Sequence, residues 1–292
     1  MKNTLIFGAT GWLGKSTLRY LVEKNNDVNF TLVSSTQKNI EYKNEKFQVI
    51  SFNEFLKLEG NNYDLFFNYA FLTGKKVNDY SSDRFNNETN LLIEGTQKFL
   101  EKNSVGKILM TSSGAIYNNG TNKESIYGLQ KHKQEKKLLD TCKSLSTKVS
   151  IARIFALIAD YYNYEYEYAF SSFINQAKKN KKIVIKSDYQ VIRSYLFLDS
   201  LLEYFISSQT SETFDAWNVT LDIYDLAHVV SNIFNSKIEI SDNYFSSEFV
   251  DNYSSEDTYF INKIKNNYEI ENEVRKVITT TESKSNIIKV TS

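Results

Sequence analysis

Proline is absent from the 292 residues, cysteine occurs once and histidine twice. A single cysteine cannot build a disulfide framework, and with two histidines it offers too few soft ligands for a zinc centre. The expectation is a metal-free protein of a reducing compartment, the cytoplasm. The missing proline accompanies an excess of Asn, Lys, Ile and Tyr, reads as compositional bias, and carries no functional signal. Net charge is also missing: 35 basic residues balance 35 acidic ones. No global field therefore favours nucleic acid or an anionic membrane, and any anion must be bound by local pockets. No apolar run approaches the roughly 18 residues of a membrane span. The run "TLIF" near the start is too short for the apolar region of a signal peptide.

What is present suits a packed globular protein. Hydrophobic residues make up 41% and aromatics 14% of the chain, and a chain of this length buries roughly 75% of its unfolded surface. Short apolar runs alternate with helical periodicity through the first half: "NTLIFGA", "VNFTLVSS", "KFQVISF", "YDLFFNYAF", "GKILMTSS" and "VSIARIFALI" read as strands. "WLGKSTLRYLVEKN", "ETNLLIEGTQKFLEKN" and "SIYGLQKHKQEKKLLDTCKSL" read as helices. Buried runs separated by helices predict an α/β fold, a Rossmann-type doubly wound parallel sheet with a nucleotide site at the carboxyl ends of its strands. We expect a dinucleotide-binding domain over 1–158, to which 189–215 returns, and a smaller C-terminal α/β substrate-binding region over most of 159–292. That second region holds the tyrosine-rich "DYYNYEYEY", a strand-like "IRSYLFLDSL", a helix "DIYDLAHVVSNIF" and a polar, weakly patterned tail.

"GATGWLG" places Gly8, Gly11 and Gly14 after a strand and at the opening of a helix. Glycines there permit a tight turn and close approach of a pyrophosphate, whose charge the helix N-terminus holds. The strand-turn-helix context makes G-x-x-G-x-x-G a dinucleotide motif. Thr10, Trp12 and Leu13 complete the turn, and Ala70 lies near the carboxyl end of "YDLFFNYAF". At the end of the second strand, where an acid would bond an unphosphorylated ribose, the chain has Ser34, Ser35, Thr36 and Lys38 and no carboxylate. Hydroxyls and a lysine tolerate a 2′-phosphate, so NADP is preferred and NAD remains open.

Tyr127 and Lys131 stand four apart at the start of the third long helix, one turn apart on the same face. The spacing alone does not single them out, because Tyr20 with Lys24, Tyr42 with Lys46 and Tyr259 with Lys263 share it. Tyr20 sits within the first helix, Tyr42 in a charged loop and Tyr259 in the weakly patterned tail; only Tyr127 opens a helix after a strand ending in serine. A lysine charge beside a phenol favours the phenolate and brings a group that normally titrates near ~10 toward neutrality. A serine hydroxyl at the strand end can hydrogen-bond a reacting oxygen. Gly128, costly inside a helix, is tolerable where the backbone comes close to cofactor or substrate.

These stretches, with "TNLLIEGT", "TSSGAIY", Arg153 and "RSYLFLD", together resemble the extended short-chain dehydrogenase/reductases, the NAD-dependent epimerase/dehydratase family, from Thr4 to about Asp225. The resemblance implies Ser113, Tyr127 and Lys131 as the catalytic set. Ser113 is chosen over Ser112 because the family's serine lies four residues before the tyrosine of that motif, here Tyr117. It further implies that Asn90 supports the helix of Tyr127 at the cofactor site, that Lys131 bonds the nicotinamide ribose, and that Arg193, with Tyr195 nearby, contacts a nucleotide-sugar diphosphate. The alternative for Arg193 is a structural ion pair with Asp199. Gly114 and Ala115 replace the acids that sugar dehydratases carry after the serine, and Ala115 also replaces the cysteine of fucose-synthase-like epimerases. What remains is NADPH-dependent reduction of a 4-keto nucleotide sugar, or 4-epimerisation with bound NAD; a non-catalytic dinucleotide sensor is a third reading. Ile154 and Ala156 stand where the family has proline and asparagine, which removes one polar substrate contact. Family members frequently pair as homodimers through helices.

Overall fold

The run Thr4–Phe7 is buried at every position, and it forms the centre of β1 (Lys2–Phe7). In a computed structural model the described residues are 2–24, 27–117, 125–162, 168–264, 268–283 and 287–291. After β1 come α1 (Trp12–Lys24), β2 (Val28–Ser34), β3 (Lys38–Tyr42), β4 (Glu45–Ser51), α2 (Phe52–Phe55) and β5 (Asn62–Asn68). There follow α3 (Lys75–Asp79), α4 (Ser82–Lys102), β6 (Ser104–Ser113), α5 (Ile126–Cys142), β7 (Lys148–Ile154), β8 (Ala156–Ile158), α6 (Ala169–Asn180), β9 (Lys182–Val184) and β10 (Gln190–Phe197). The rest is α7 (Leu198–Ser207), β11 (Glu212–Ala216), β12 (Val219–Asp222), α8 (Ile223–Phe234), β13 (Lys237–Glu239), β14 (Val250–Tyr253), α9 (Ile270–Glu282) and β15 (Lys289–Thr291).

Two compact units result. One comprises Met1–Arg153, Phe205–Phe214 and Ile287–Ser292; the other comprises Ile154–Tyr204 and Asp215–Asn286. In the first, nine strands run in the order β11-β7-β6-β5-β1-β2-β4-β3-β15. β1 lies parallel to both β2 and β5, and β2–β4 and β5–β6 are parallel as well. The chain therefore moves outward from β1 to β4 and then returns to the other side of β1 as β5. Such a reversal opens a crevice at the carboxyl ends of the strands, and the glycine turn leaves β1 there. Beneath it, Phe55 packs on Phe7 and Phe99 with ring centroids 4.7 and 4.6 Å apart, anchoring a core that includes Leu5, Val33, Phe66, Ile108, Met110 and Ile151. Serines start three helices: Ser51 forms a capping box with Glu54, Ser81 accepts from the Arg84 amide, and Ser125 accepts from the Gly128 amide.

The tail departs from the sequence expectation. The weakly patterned residues after Tyr253 include α9, which buries Val274 and Ile278, and β15, which pairs antiparallel with β3 and closes the sheet edge. Ile270, Val274 and Ile278 recur every fourth residue, so the sequence does carry an α9 signal, although Glu and Thr dilute it. β3 itself, "KNIEY", is too short and polar to stand out. Within the first unit, Lys107 ties β6 to the segment Phe205–Phe214, its ammonium donating to the carbonyls of Phe205 and Ser208.

The second unit has a four-stranded sheet in which β10 is flanked by β12 and β14 and also pairs with β8, together with a parallel pair β13–β9. Tyr244, Phe260, Phe170, Ile174 and Leu226 form its buried centre. Of the tyrosine-rich stretch, Tyr161 and Tyr162 are buried and Tyr168 is exposed, while 163–167 lie outside the described residues. Among the described residues, no helix is long and apolar enough to cross a membrane, and no group of three or more His, Cys, Asp or Glu could hold a metal ion.

Candidate active site

The glycine turn is a backbone cradle with no room for side chains. Gly8 adopts φ +94°, and Gly11 donates to its carbonyl at 3.0 Å. A Cβ on Gly14 would stand 2.2 Å from the Gly8 oxygen and 2.6 Å from the Ala9 Cα, so this helix start can pack on β1 only as glycine. The amides of Gly8 and Ala9 both donate to the Val33 carbonyl, at 2.9 and 3.0 Å, which ties the turn to β2. The first-turn amides of Trp12, Leu13 and Gly14 have no intrahelical acceptor by the geometry of a helix start, and Thr10 is half-buried beside them. At the end of β2, Ser34 is buried and donates to the Thr36 carbonyl at 2.5 Å. Ser35 and Thr36 are exposed, and Lys38 opens β3. Ala70, after β5, donates its amide to Asn68 Oδ1 at 3.3 Å, and the buried Asn68 reaches Thr96 on α4 at 3.3 Å. A glycine-built helix start whose first-turn amides have no intrahelical acceptor is the arrangement that binds a dinucleotide pyrophosphate.

Next to it, β6 ends in three polar residues whose faces alternate. Ser112 is buried, and its Oγ finds no partner among the described residues. Ser113 accepts from the Ala115 amide at 3.2 Å. Lys131 is 4% exposed, and its ammonium donates to the Thr111 carbonyl at 2.9 Å and to Gln134 Oε1 at 3.1 Å. The helix lysine is thereby bonded to the strand two residues before Ser113. Tyr127, half-buried one turn earlier, packs edge-on to Phe71 with centroids 5.8 Å apart, and the Lys131 Nζ lies 4.0 Å from the centre of the same ring. Burial pushes the Lys131 pKa down to about 7, and the nearby Glu135 carboxylate opposes that shift. Gly128 is crowded by the chain's own backbone. A Cβ there would meet the Ala115 carbonyl oxygen at 2.4 Å, so the residue lets α5 close on the turn that follows Ser113.

Several supporting groups do not stand out in the sequence. Glu135, 3% exposed, accepts from Arg153 Nε at 3.1 Å and Nη2 at 2.8 Å, and Arg153 Nη1 donates to the Tyr117 hydroxyl at 2.6 Å. Burial alone would lower the Arg153 pKa, but the bonds to Glu135 and Tyr117 raise it, so the guanidinium stays charged. Glu135 falls four residues after Lys131, a spacing that marks a shared helical face; Phe71 has no such signal. Asn90 on α4 accepts from Lys133 of α5 at 2.7 Å, and neighbouring Asn86 accepts from Gln130 at 2.8 Å. The look-alike pairs differ: Tyr20 and Tyr42 are buried, with the Tyr42 hydroxyl on Glu23 at 2.9 Å, and Tyr259 lies in the second unit.

Arg193 and Tyr195 belong to the second unit. Arg193 does not pair with Asp199; it pairs with Asp251, Nη2 to Oδ2 at 2.6 Å, while Nη1 donates to the carbonyls of Ile192 and Asp251 at 2.8 and 2.9 Å. Parallel pairing of β10 with β14 brings Asp251 there, a long-range contact that sequence spacing cannot reveal. Asp199 instead accepts from Lys276 at 3.0 Å. Tyr195 is 3% exposed in the middle of β10, and burial raises its pKa, so its phenol is neutral.

The model of the family described as "NAD dependent epimerase/dehydratase family" matches residues 4–219. No curated protein is matched by sequence. Among solved structures, the chain is similar to a UDP-N-acetylglucosamine 4-epimerase from Methanobrevibacter ruminantium M1 in complex with UDP-N-acetylmuramic acid, with a TM-score of 0.71 at 18% identity over 95% of this chain and 97% of that one. It is likewise similar to the UDP-glucose 4-epimerase of Thermotoga maritima with UDP-glucose, with a TM-score of 0.71 at 16% identity over 94% and 97% of the two chains. The similarity to RMD from Pseudomonas aeruginosa, complexed with NADPH, has a TM-score of 0.70 at 15% identity over 97% and 100%. At these identities the likeness establishes the fold.

Proposed function

Because the chain belongs to the NAD-dependent epimerase/dehydratase family, and is thus an NAD(P)-dependent enzyme of the nucleotide-sugar-modifying type, we propose that it reduces a 4-keto (6-deoxy or dideoxy) nucleotide sugar with NADPH. The observation that carries this reading is Lys131, buried one helical turn behind Tyr127 and bonded to the strand that ends in Ser113. A bound nicotinamide supplies the hydride. Tyr127 delivers the proton to the carbonyl oxygen as that oxygen gains charge, and the Ser113 hydroxyl donates a hydrogen bond to the same oxygen. The charge of Lys131 stabilises the phenolate left on Tyr127. Gly8, Gly11 and Gly14, with the first-turn amides of α1, hold the pyrophosphate. Ser34, Ser35 and Lys38, unaccompanied by a carboxylate in that stretch, accept a 2′-phosphate. Ala70 lines the crevice, and Asn90 braces α5 through Lys133.

Arg193 is the proposed diphosphate contact, with Tyr195 as its buried neighbour. Its bonds among the described residues use three of five guanidinium donors, leaving the Nε–H and one Nη2–H for a phosphate oxygen. A cytoplasmic site of action and pairing of two copies through a helix pair belong to the same reading; Leu91 of α4 and Leu129 of α5 are exposed.

A 4-epimerase with tightly bound NAD uses the same three side chains, and two of the similar structures named above are 4-epimerases. Incubating the protein with NADPH and a panel of 4-keto nucleotide sugars separates the two. Stoichiometric NADPH consumption supports the reductase; interconversion of 4-hydroxyl epimers with no net cofactor use replaces it with the epimerase.

A further inference from the structure

Lys131 is more fully engaged than a ribose-binding lysine needs to be. An ammonium has three N–H donors; two go to the Thr111 carbonyl and Gln134 Oε1, and the face of Phe71 covers the group with Nζ 4.0 Å from the ring centre. The same ring meets Tyr127 edge-on at 5.8 Å and rests against Phe85 at 6.5 Å. Phe71 follows Ala70 directly after β5, whose carboxyl end forms one wall of the crevice beside the glycine turn. These contacts of its ring with two other rings and an ammonium are ones that a rotamer change can break.

We propose that Phe71 is a gate over Lys131: its ring occupies the approach to the ammonium, and a dinucleotide whose nicotinamide ribose bonds Lys131 must first displace it. This rests on the cofactor role proposed for Lys131. The gate lowers the apparent affinity for the nicotinamide half of the cofactor by the fraction of molecules in which the ring is swung away, and leaves the adenosine half, bound at the glycine turn, unaffected. It also gives Lys131 a cation–π partner while the ring is in place, partly compensating for burial of the charge.

The test is binding, measured on the full chain by nicotinamide fluorescence and calorimetry. NADPH and NADH are titrated into wild type and Phe71→Ala, with 2′,5′-ADP and ADP as ligands that lack the nicotinamide half. The gate predicts that Phe71→Ala binds the complete dinucleotide about tenfold more tightly while the ADP ligands change less than about twofold. Unchanged or weaker dinucleotide binding by a folded Phe71→Ala overturns the gate and leaves the proposed function standing. Equal tightening of both ligand classes also overturns it, since the effect would then not lie at Lys131. Binding of no dinucleotide by either protein removes the gate and the cofactor reading together. If Phe71→Ala does not fold, Phe71→Leu keeps an apolar side chain, and the same outcomes decide.

Discussion

Lys107 and Lys131 have nearly the same surroundings. Both are buried in the first unit, both donate to backbone carbonyls, and both lie over a phenylalanine, Phe205 at 4.3 Å and Phe71 at 4.0 Å from the ring centre. Burial pushes both pKa values down, to about 8 for Lys107 and to about 7 for Lys131. The difference lies in what each one serves. Lys107 reaches from β6 to two carbonyls at the C-terminal end of α7, closing a helix end that would otherwise leave acceptors unmet. Lys131 takes one strand carbonyl and has a tyrosine one turn away on its own helical face. A depressed lysine pKa therefore does not by itself mark a catalytic site; what sets Lys131 apart in the proposed function is the phenol one turn away.

The sharpest way to separate the two regions is to remove that phenol's proton. Tyr127→Phe keeps the ring against Phe71 and is expected to lower kcat about 10²- to 10⁴-fold with an unchanged melting temperature, measured by NADPH oxidation and calorimetry. Next in size is Gly128→Ala. Its methyl would press on the Ala115 carbonyl oxygen at a separation of only 2.4 Å, costing about 1–3 kcal/mol and shifting α5 relative to the turn after Ser113. Both melting temperature and kcat should fall, whereas Gly74→Ala, with nothing within 4 Å of the added group, should leave both unchanged. Lys107→Met leaves the Phe205 and Ser208 carbonyls without their donor and should cost about 1–3 kcal/mol of stability in urea unfolding, with kcat within about twofold of wild type.

The smallest effect is in the pH dependence of stability. Lys131 ordinarily titrates at 10.5 and in the fold at about 7. Between those values the folded state binds fewer protons than the unfolded one, so stability rises with pH across that window, and the full cost of burying the charge is felt below about 7. For Lys107 the window begins at about 8. The stability of Lys131→Met relative to wild type should therefore fall as pH rises from about 7 to about 9, beginning below the pH at which Lys107→Met shows the same fall. A pH-independent difference in melting temperature would contradict this.

Much of the first unit is legible in the sequence because its information is local. β1, the glycine turn and α1 form one continuous pattern of buried strand, φ-permissive turn and helix, and Ser113, Tyr127 and Lys131 fall at a strand end and a helix start. The parts that are not legible depend on long-range pairing. β15 makes sense only once it lies on β3; the partner of Arg193 is Asp251 because β14 lies beside β10; Phe71 reaches Lys131 across the crevice from β5. Gly128 falls between the two cases. Close approach of backbone is the right physical reason for a glycine there, but the backbone that crowds it is the chain's own turn at Ala115, which only the folded structure identifies.

Of these two buried lysines, Lys131 on α5 and not Lys107 on β6 is the one proposed for the proton-delivery site. Single-turnover oxidation of NADPH with a 4-keto nucleotide sugar, compared between Lys131→Met and Lys107→Met at matched folded fractions, tests it directly. Lys107→Met should react at the wild-type rate, and Lys131→Met should fall to below about 1% of it. Equal rates for the two variants would contradict it.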